Sequence, residues 1–251
     1  SSDLFMILDI SRKNKLDSIY ELYRNIKREL EMEIEKNNFE AVYTISGGII
    51  SVKEMENPEY ADIMKYSEFA LGEAKNMGRN QVYVFEQEDY DLFLRKRKIL
   101  AQLRKSVGND FEGFDLVFQP IMTAGEDGVK LYAAESLLRF TTTTGEFISP
   151  MEFVPLLEES GLIIPVGKWI LDRAVSMCKK CQKYYPDFKV SINLSYVQIL
   201  KSAILNDVFN SIAQYGIKPD SRIMEMTESG YLDDTMIVKR VWDSLKKFGV
   251  L

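Results

Sequence analysis

The sequence predicts an α/β protein in two parts joined by a charged helix. Three observations carry that prediction. Apolar residues at helical spacing alternate with short β-branched runs along the whole chain. A highly charged segment, "DLFLRKRKILAQLRKSV" (91–107), separates two such stretches. Beyond it, strand and helix patterns alternate, with four strand patterns and two helices that stop at glycine, the grammar of a parallel sheet, doubly wound or closed as a barrel. The 251 residues are 46% hydrophobic, enough for two cores.

Residues 14–36 place Leu16, Ile19, Leu22, Ile26, Leu30 and Ile34 along one helical stripe. "EAVYTISGGIIS" reads as a strand interrupted by Gly47 and Gly48, and a second helix covers about 59–77, stopping at Gly78. "QVYVFE" is a short strand. The charged helix from about Tyr90 to Val107 is the connector, and the domain boundary falls within it: 1–88, then 89–108, then 109–251. Strands follow at "DLVFQPI", "KLYAAESLL", "FKVSINLS" and "RIMEMTE". Ser149-Pro150-Met151-Glu152 has the form of a capping box with proline at the first helical position. Further helices are expected from near Pro165 to before Pro186, and near 196–215 and 233–248, the last two ending at Gly216 and Gly249. The sequence stops at "FGVL" as another strand pattern begins. Four strands cannot close an eight-stranded barrel, so either the sheet is small and open or a larger domain is truncated here.

Composition excludes some classes. A net charge of -6, from 38 acidic and 32 basic residues, argues against bulk nucleic-acid binding. No apolar run reaches the roughly 20 residues of a membrane span, and the first residues do not form a signal peptide. A membrane is expected only through segments outside this sequence, and the location is expected to be cytoplasmic. Cys178 and Cys181 form C-x-x-C, but with no histidine and no third cysteine they cannot complete a structural zinc site. They lie in a helical pattern and read as reduced thiols.

The polar residues of the strands carry the chemistry. In "AAESLLRF" (133–140), Glu135, Leu137 and Arg139 share one face, at about 3.3 Å per residue. For one glutamate in one strand, pairing with a lysine or arginine is the simpler account. In "FKVSINLS", Lys189, Ser191, Asn193 and Ser195 face one way and Phe188, Val190, Ile192 and Leu194 the other. Glu225 and Thr227 share a face near the end of "RIMEMTES". Three successive strands thus bring Glu135, Asn193 and Glu225 to or near the carboxyl end, where parallel α/β folds assemble their sites. Oxygen donors without histidine suit a hard divalent cation, and Arg139 beside them suits a phosphate.

At these residues the sequence resembles the EAL family of cyclic di-GMP phosphodiesterases. "VFQPI" matches the family's opening Q-P-I strand. "ESLLRF" matches E-A-L-L-R-W, with Ser136 for alanine and Phe140 for tryptophan. "SPMEFVPLLEESGLI", "SINLS" and "EMTES" follow in the family's order, over about 145 residues. The resemblance implies a TIM-type (β/α) barrel, truncated in this chain, that holds Mg2+ or Mn2+, two ions, and linearises cyclic di-GMP to 5'-pGpG. By position it implies Glu135, Asn193 and Glu225 as metal ligands, with Glu135 also catalytic. It implies Arg139, Leu137 and Gln119 as substrate contacts, and Glu228 as the catalytic-site glutamate that orders a metal-site loop. The family's following Asp-Asp-Phe-Gly motif, and a later lysine and glutamate, have no counterpart in these 251 residues. The alternative the resemblance leaves open is a silent receptor that binds cyclic di-GMP or a protein partner through the same pocket.

The first part resembles the second half of a GGDEF diguanylate cyclase domain, a nucleotidyl-cyclase-like α/β sheet. "TISGGI" resembles T-x-S-x-G, and "ALGEAKNMGRN" resembles A-L-Y-x-A-K-x-x-G-R-N, with Gly72 for tyrosine. Lys75 and Arg79 match phosphate-contacting positions. "SSDLF" aligns with G-G-D-E-F, retaining Asp3 but placing Ser1 and Ser2 at the glycines and Leu4 at the second acid. The resemblance implies a partial, degenerate cyclase half that makes no cyclic di-GMP, binds GTP or regulates, and dimerises through the connector as a homodimer.

Overall fold

A computed structural model describes residues 15–38, 43–55, 57–125, 128–226 and 235–250. Asp3, Glu228 and the "SSDLF" segment lie outside the described residues. The chain divides into two compact units, Ser1–Leu94 and Arg95–Leu251, taken separately here.

In the first unit, α1 (Lys15–Lys36) precedes β1 (Gly47–Ile49), α2 (Tyr60–Asn76) and β2 (Val82–Val84). The apolar stripe of α1 is only partly covered, for Ile26 and Leu30 remain exposed. Tyr23 tethers the helix, its hydroxyl donating to the Ile45 carbonyl at 3.0 Å. The strand predicted over "EAVYTISGGIIS" shortens to Gly47–Ile49, and residues 39–42 lie outside the described residues. β1 pairs parallel with β2 in register Gly47↔Val82. Gly48 is required by packing: a Cβ there would lie 2.3 Å from the backbone nitrogen of Leu71 on α2. The remaining core is aromatic, with Phe69 of α2 edge-on to Tyr90 at 5.1 Å and Tyr66 stacked on Phe85 at 4.5 Å.

The charged helix is α3 (Gln87–Gly108), several residues longer at its start than its pattern suggests. In the second unit, β3 (Phe114–Gly125) and β4 (Gly128–Thr141) form a hairpin, followed by β5 (Phe147–Ile148), α4 (Pro150–Ser160), α5 (Ile163–Cys181), β6 (Lys189–Leu194), α6 (Tyr196–Lys201), α7 (Ile204–Tyr215), β7 (Arg222–Met226) and α8 (Thr235–Lys247). Their order in the sheet is β3-β4-β6-β7, with β5 paired to the end of β4. The sheet is open among the described residues, and no closed barrel forms.

Three sequence expectations need correction. The sheet is mixed rather than parallel: β3 runs antiparallel to β4, because Gly125 pairs with Gly128 and so short a link cannot carry a crossover helix. The helix expected from near Pro165 to before Pro186 is present as α5, from Ile163 to Cys181, with Pro165 in its first turn, where a missing N–H costs nothing. The helix expected over 196–215 is two helices, α6 and α7. Its break falls at Ser202, whose hydroxyl turns back to the Gln198 carbonyl at 2.6 Å while its backbone goes extended. Ser149 does cap α4, accepting from the Met151 N–H at 3.3 Å, but Glu152 does not complete a box. Its carboxylate is drawn instead to Arg95, 3.3 Å away. The reciprocal box is at Ser195 and Gln198, starting α6.

The alternation of β6 sets the whole unit. Val190, Ile192 and Leu194 point into one core with Leu171, Ala174 and Val175 of α5, Val208 of α7, and Val238 and Val241 of α8. A second cluster gathers Ile99 and Leu103 of α3, Phe114, Phe140, Ile148 and Phe153. Phe140, at the motif's tryptophan position, is fully buried with its ring 4.7 Å from Phe114. The opposite face of β6 is left for polar residues.

Candidate active site

Period-two alternation on adjacent strands brings side chains of one face into rows. In β4, Glu135 lies opposite Gln119 of β3 on one side and Ser191 of β6 on the other. Asn193, two residues along β6, lies opposite Glu225 of β7. The sequence-predicted set Gln119, Glu135, Asn193 and Glu225 therefore meets on one face of three strand junctions. The Asn193 Nδ2 donates to Glu135 Oε1 at 2.8 Å. That orientation leaves the Asn193 Oδ1 and the second Glu135 oxygen free of this bond. The Ser191 hydroxyl donates to Glu225 Oε1. Glu135 and Asn193 are half-buried, while Glu225 and Gln119 are exposed.

Leu137 and Arg139 continue the Glu135 face toward the end of β4. Arg139 is half-buried and spends one N–H on the neighbouring Leu138 carbonyl at 2.9 Å. Its guanidinium has five N–H donors, so most remain for an anion. Two carboxylates, one amide oxygen and no imidazole form a donor set that fits a hard divalent cation. Among the described residues no three carboxylate, histidine or cysteine side chains are grouped so that they could hold a metal ion, so the set stands at two acids and one amide.

The alternate face explains the departure from the family's alanine. Ser136 is buried, and its hydroxyl donates to the Ser191 carbonyl at 2.8 Å, tying β4 to β6 from behind the site. The end of β6 is held as well: Ser195 Oγ donates to Glu158 Oε1 of α4 at 2.6 Å. Gln198 Oε1 accepts from the Ser195 backbone at 3.0 Å. Gly167 of α5 leaves the room for Gln198, since a Cβ there would lie 1.8 Å from its Nε2. Sequence reasoning placed Ser191 on the correct face but gave it no role. A serine carries too little chemical signal on its own.

Arg222, at the start of β7, was also missed. It is fully buried, and its Nη1 donates to the Val208 carbonyl at 3.2 Å and to Ser211 Oγ at 3.1 Å. Among the described residues, its Nε and Nη2 have no hydrogen-bond partner. Burial lowers its pKa to about 10. Cys178 is buried in the same core and Cys181 half-buried, both as free thiols. Burial pushes Cys178 up to about 11, so it is an unreactive thiol at neutral pH.

In the first unit, the segments "TISGGI" and "ALGEAKNMGRN" meet. The Asn80 N–H donates to Ser46 Oγ at 3.2 Å, and the Gly47 N–H to the Gln81 carbonyl at 2.9 Å. Lys75 is exposed in the last turn of α2, and Arg79 is exposed with φ 62°. At Gly72 a Cβ would meet nothing within 4 Å.

Comparison with known proteins decides the family. Residues 101–251 match the EAL domain. The chain belongs to the EAL domain family. It is 28% identical over 234 residues to the signaling protein YkoW of Bacillus subtilis, covering 91% of this chain and 28% of that protein. It is 27% identical over 193 residues to the bifunctional diguanylate cyclase/cyclic di-GMP phosphodiesterase MucR of Pseudomonas aeruginosa, covering 75% of this chain and 27% of that protein. The chain thus spans less than a third of the length of these curated relatives. Among solved structures, the PaMucR phosphodiesterase in complex with c-di-GMP aligns with TM-score 0.52 at 27% identity, covering 61% of each chain. Among the described residues, no helix is long and apolar enough to cross a membrane.

Proposed function

We propose that this EAL protein is a cyclic di-GMP phosphodiesterase that hydrolyses one phosphodiester of the ring to give 5'-pGpG. The observation that carries the proposal is the meeting on one face of Glu135, in the middle of β4, with Asn193 and Glu225, near the ends of β6 and β7. Glu135, Asn193 and Glu225 would hold Mg2+ or Mn2+, part of a pair of ions. Such cations supply a nucleophilic water at neutral pH and neutralise charge on the phosphoryl oxygens. Asn193 fixes the Glu135 carboxylate, Arg139 engages a phosphate oxygen, and Leu137 and Gln119 line the guanylate. Glu228 is assigned to order the loop beside the site.

The first unit fits a degenerate GGDEF half, in domains 1–88 and 109–251 about a connector over 89–108. Lys75 and Arg79 retain the phosphate-contacting types, and Asp3 one acid of the signature, while Leu4 replaces the other. In this reading the unit binds GTP or regulates, without synthesising cyclic di-GMP, and the connector supports a cytoplasmic homodimer.

The test is incubation of the protein with cyclic di-GMP and Mn2+, with products separated chromatographically. The proposal expects pGpG that disappears on chelation. Tight binding of cyclic di-GMP with no pGpG would identify a receptor instead.

A further inference from the structure

Ser191 is fully buried on the polar face of β6, two residues before Asn193. A buried hydroxyl must find an acceptor, because leaving it unmatched costs about 1–3 kcal/mol. The acceptor here is a carboxylate oxygen of Glu225. The register explains the reach. Glu225 stands opposite Asn193, so Ser191 is its diagonal neighbour, and a glutamate can lean back along the strand to a short serine. The contrast with Glu135 is informative. That carboxylate is held by the Asn193 amide at 2.8 Å. One strand therefore presents two donors, at alternate positions, to the two flanking acids.

We propose that Ser191 is a positioning residue that orients Glu225 for cation binding. This rests on the cation reading given above. Glu225 is exposed, and a free glutamate side chain samples many rotamers. A hydrogen bond to Oε1 restricts that freedom before the cation arrives and leaves Oε2 as the donor. Partners of this kind, one step removed from the ion, typically change metal affinity 10- to 100-fold when removed. Ser191 touches neither ion nor substrate in this account; it acts through Glu225 alone.

The test measures Mn2+ affinity directly, by electron paramagnetic resonance titration of the unbound ion, for the parent, Ser191→Ala, Glu225→Gln and the double variant. Ser191→Ala should weaken Mn2+ binding roughly 10-fold or more. The same change should have little further effect when Glu225 is already glutamine. An equal loss in both backgrounds would show that Ser191 acts by general packing and would overturn the proposal, as would no loss at all. If Ser191→Ala fails to fold, Ser191→Cys keeps nearly the volume with a poor donor and should show the same dependence on Glu225. A parent that binds no Mn2+ overturns the cation reading itself, a result distinct from a parent that binds with Ser191→Ala unchanged.

Discussion

The two units solve the same problem with different means. The first pairs two three-residue strands and relies on contacts between aromatic rings, Phe69, Tyr66, Phe85, Tyr90 and Phe93. The second runs β6 through the middle of its sheet, with one face wholly committed to an apolar core. Committing one face frees the other for Glu135, Ser191, Asn193 and Glu225. A short two-stranded ribbon has no such spare interior face. The difference teaches that the polar set is a product of sheet alternation, affordable only where the opposite face is densely packed.

The sharpest way to break the comparison is at two glycines that serve close approach. Gly48→Ala would drive a Cβ to 2.3 Å from the Leu71 backbone, which cannot yield without separating α2 from β1. We expect a loss of about 3 kcal/mol or more in the first unit. Hydrogen exchange should show it as lost protection of Gly47–Ile49 and Val82–Val84. Gly167→Ala also clashes, but with the mobile end of the Gln198 side chain. There we expect about 1–3 kcal/mol, with loss of the capping box at Ser195. Equal costs at both sites would contradict the distinction between backbone and side-chain obstruction.

Arg222 sharpens the account from the opposite direction, since it is a poorly compensated charge in the dense core of the second unit. Arg222→Met replaces a guanidinium with two unpartnered nitrogens by an apolar chain of similar reach. We expect stabilisation of about 1–4 kcal/mol, read as a higher melting temperature. The pH dependence follows from the lowered pKa. A cation whose pKa falls on folding destabilises the fold fully below about 10, and that penalty fades as pH rises through 10 toward the ordinary arginine value. The advantage of Arg222→Met should therefore shrink above pH 10. An advantage independent of pH would trace the effect to packing alone.

Ser136→Ala gives the smallest effect. It removes the bond to the Ser191 carbonyl on the core side of β4. A cost of about 1 kcal/mol is expected, as for a typical hydrogen bond, with the melting-temperature response to Mn2+ unchanged. A lost Mn2+ response would mean that the tie behind the strand also sets the geometry in front of it.

Much of this was legible in the sequence, for physical reasons that differ by residue. Alternation in "FKVSINLS" sorts Asn193 from Ile192 because a strand has only two faces, and β6 follows that sorting. Pattern strength located α2, α3 and α8 to within a few residues. Strand direction was not legible: "DLVFQPI" and "KLYAAESLL" are apolar whether parallel or antiparallel, and only the two-residue link reveals a hairpin. The break at Ser202 depends on one hydroxyl competing for a helical carbonyl, which no periodicity records. Glu152 looked like a capping residue because its competitor, Arg95, lies 57 positions away. Arg222 gave no signal in the sequence, because its burial and its bonds to Val208 and Ser211 of α7 are non-local facts.

The central claim is that Glu135 serves a cation rather than a salt bridge. Among the described residues its carboxylate accepts from the Asn193 amide and forms no ion pair with a lysine or arginine. Without a cation, Glu135 and Glu225 stand as like charges flanking β6, so Mn2+ should raise the melting temperature of the parent by mass action. Glu135→Gln still offers an oxygen to Asn193, so the fold should persist. The decisive measurement is a pair of melting curves, parent and Glu135→Gln, with and without Mn2+, alongside pGpG formation. The account predicts a folded variant, a smaller Mn2+ shift than the parent's and no hydrolysis. A variant that loses several kcal/mol (roughly 3–5) of stability, as a broken buried ion pair would, or one that Mn2+ stabilises equally while cyclic di-GMP is still cleaved, would contradict it.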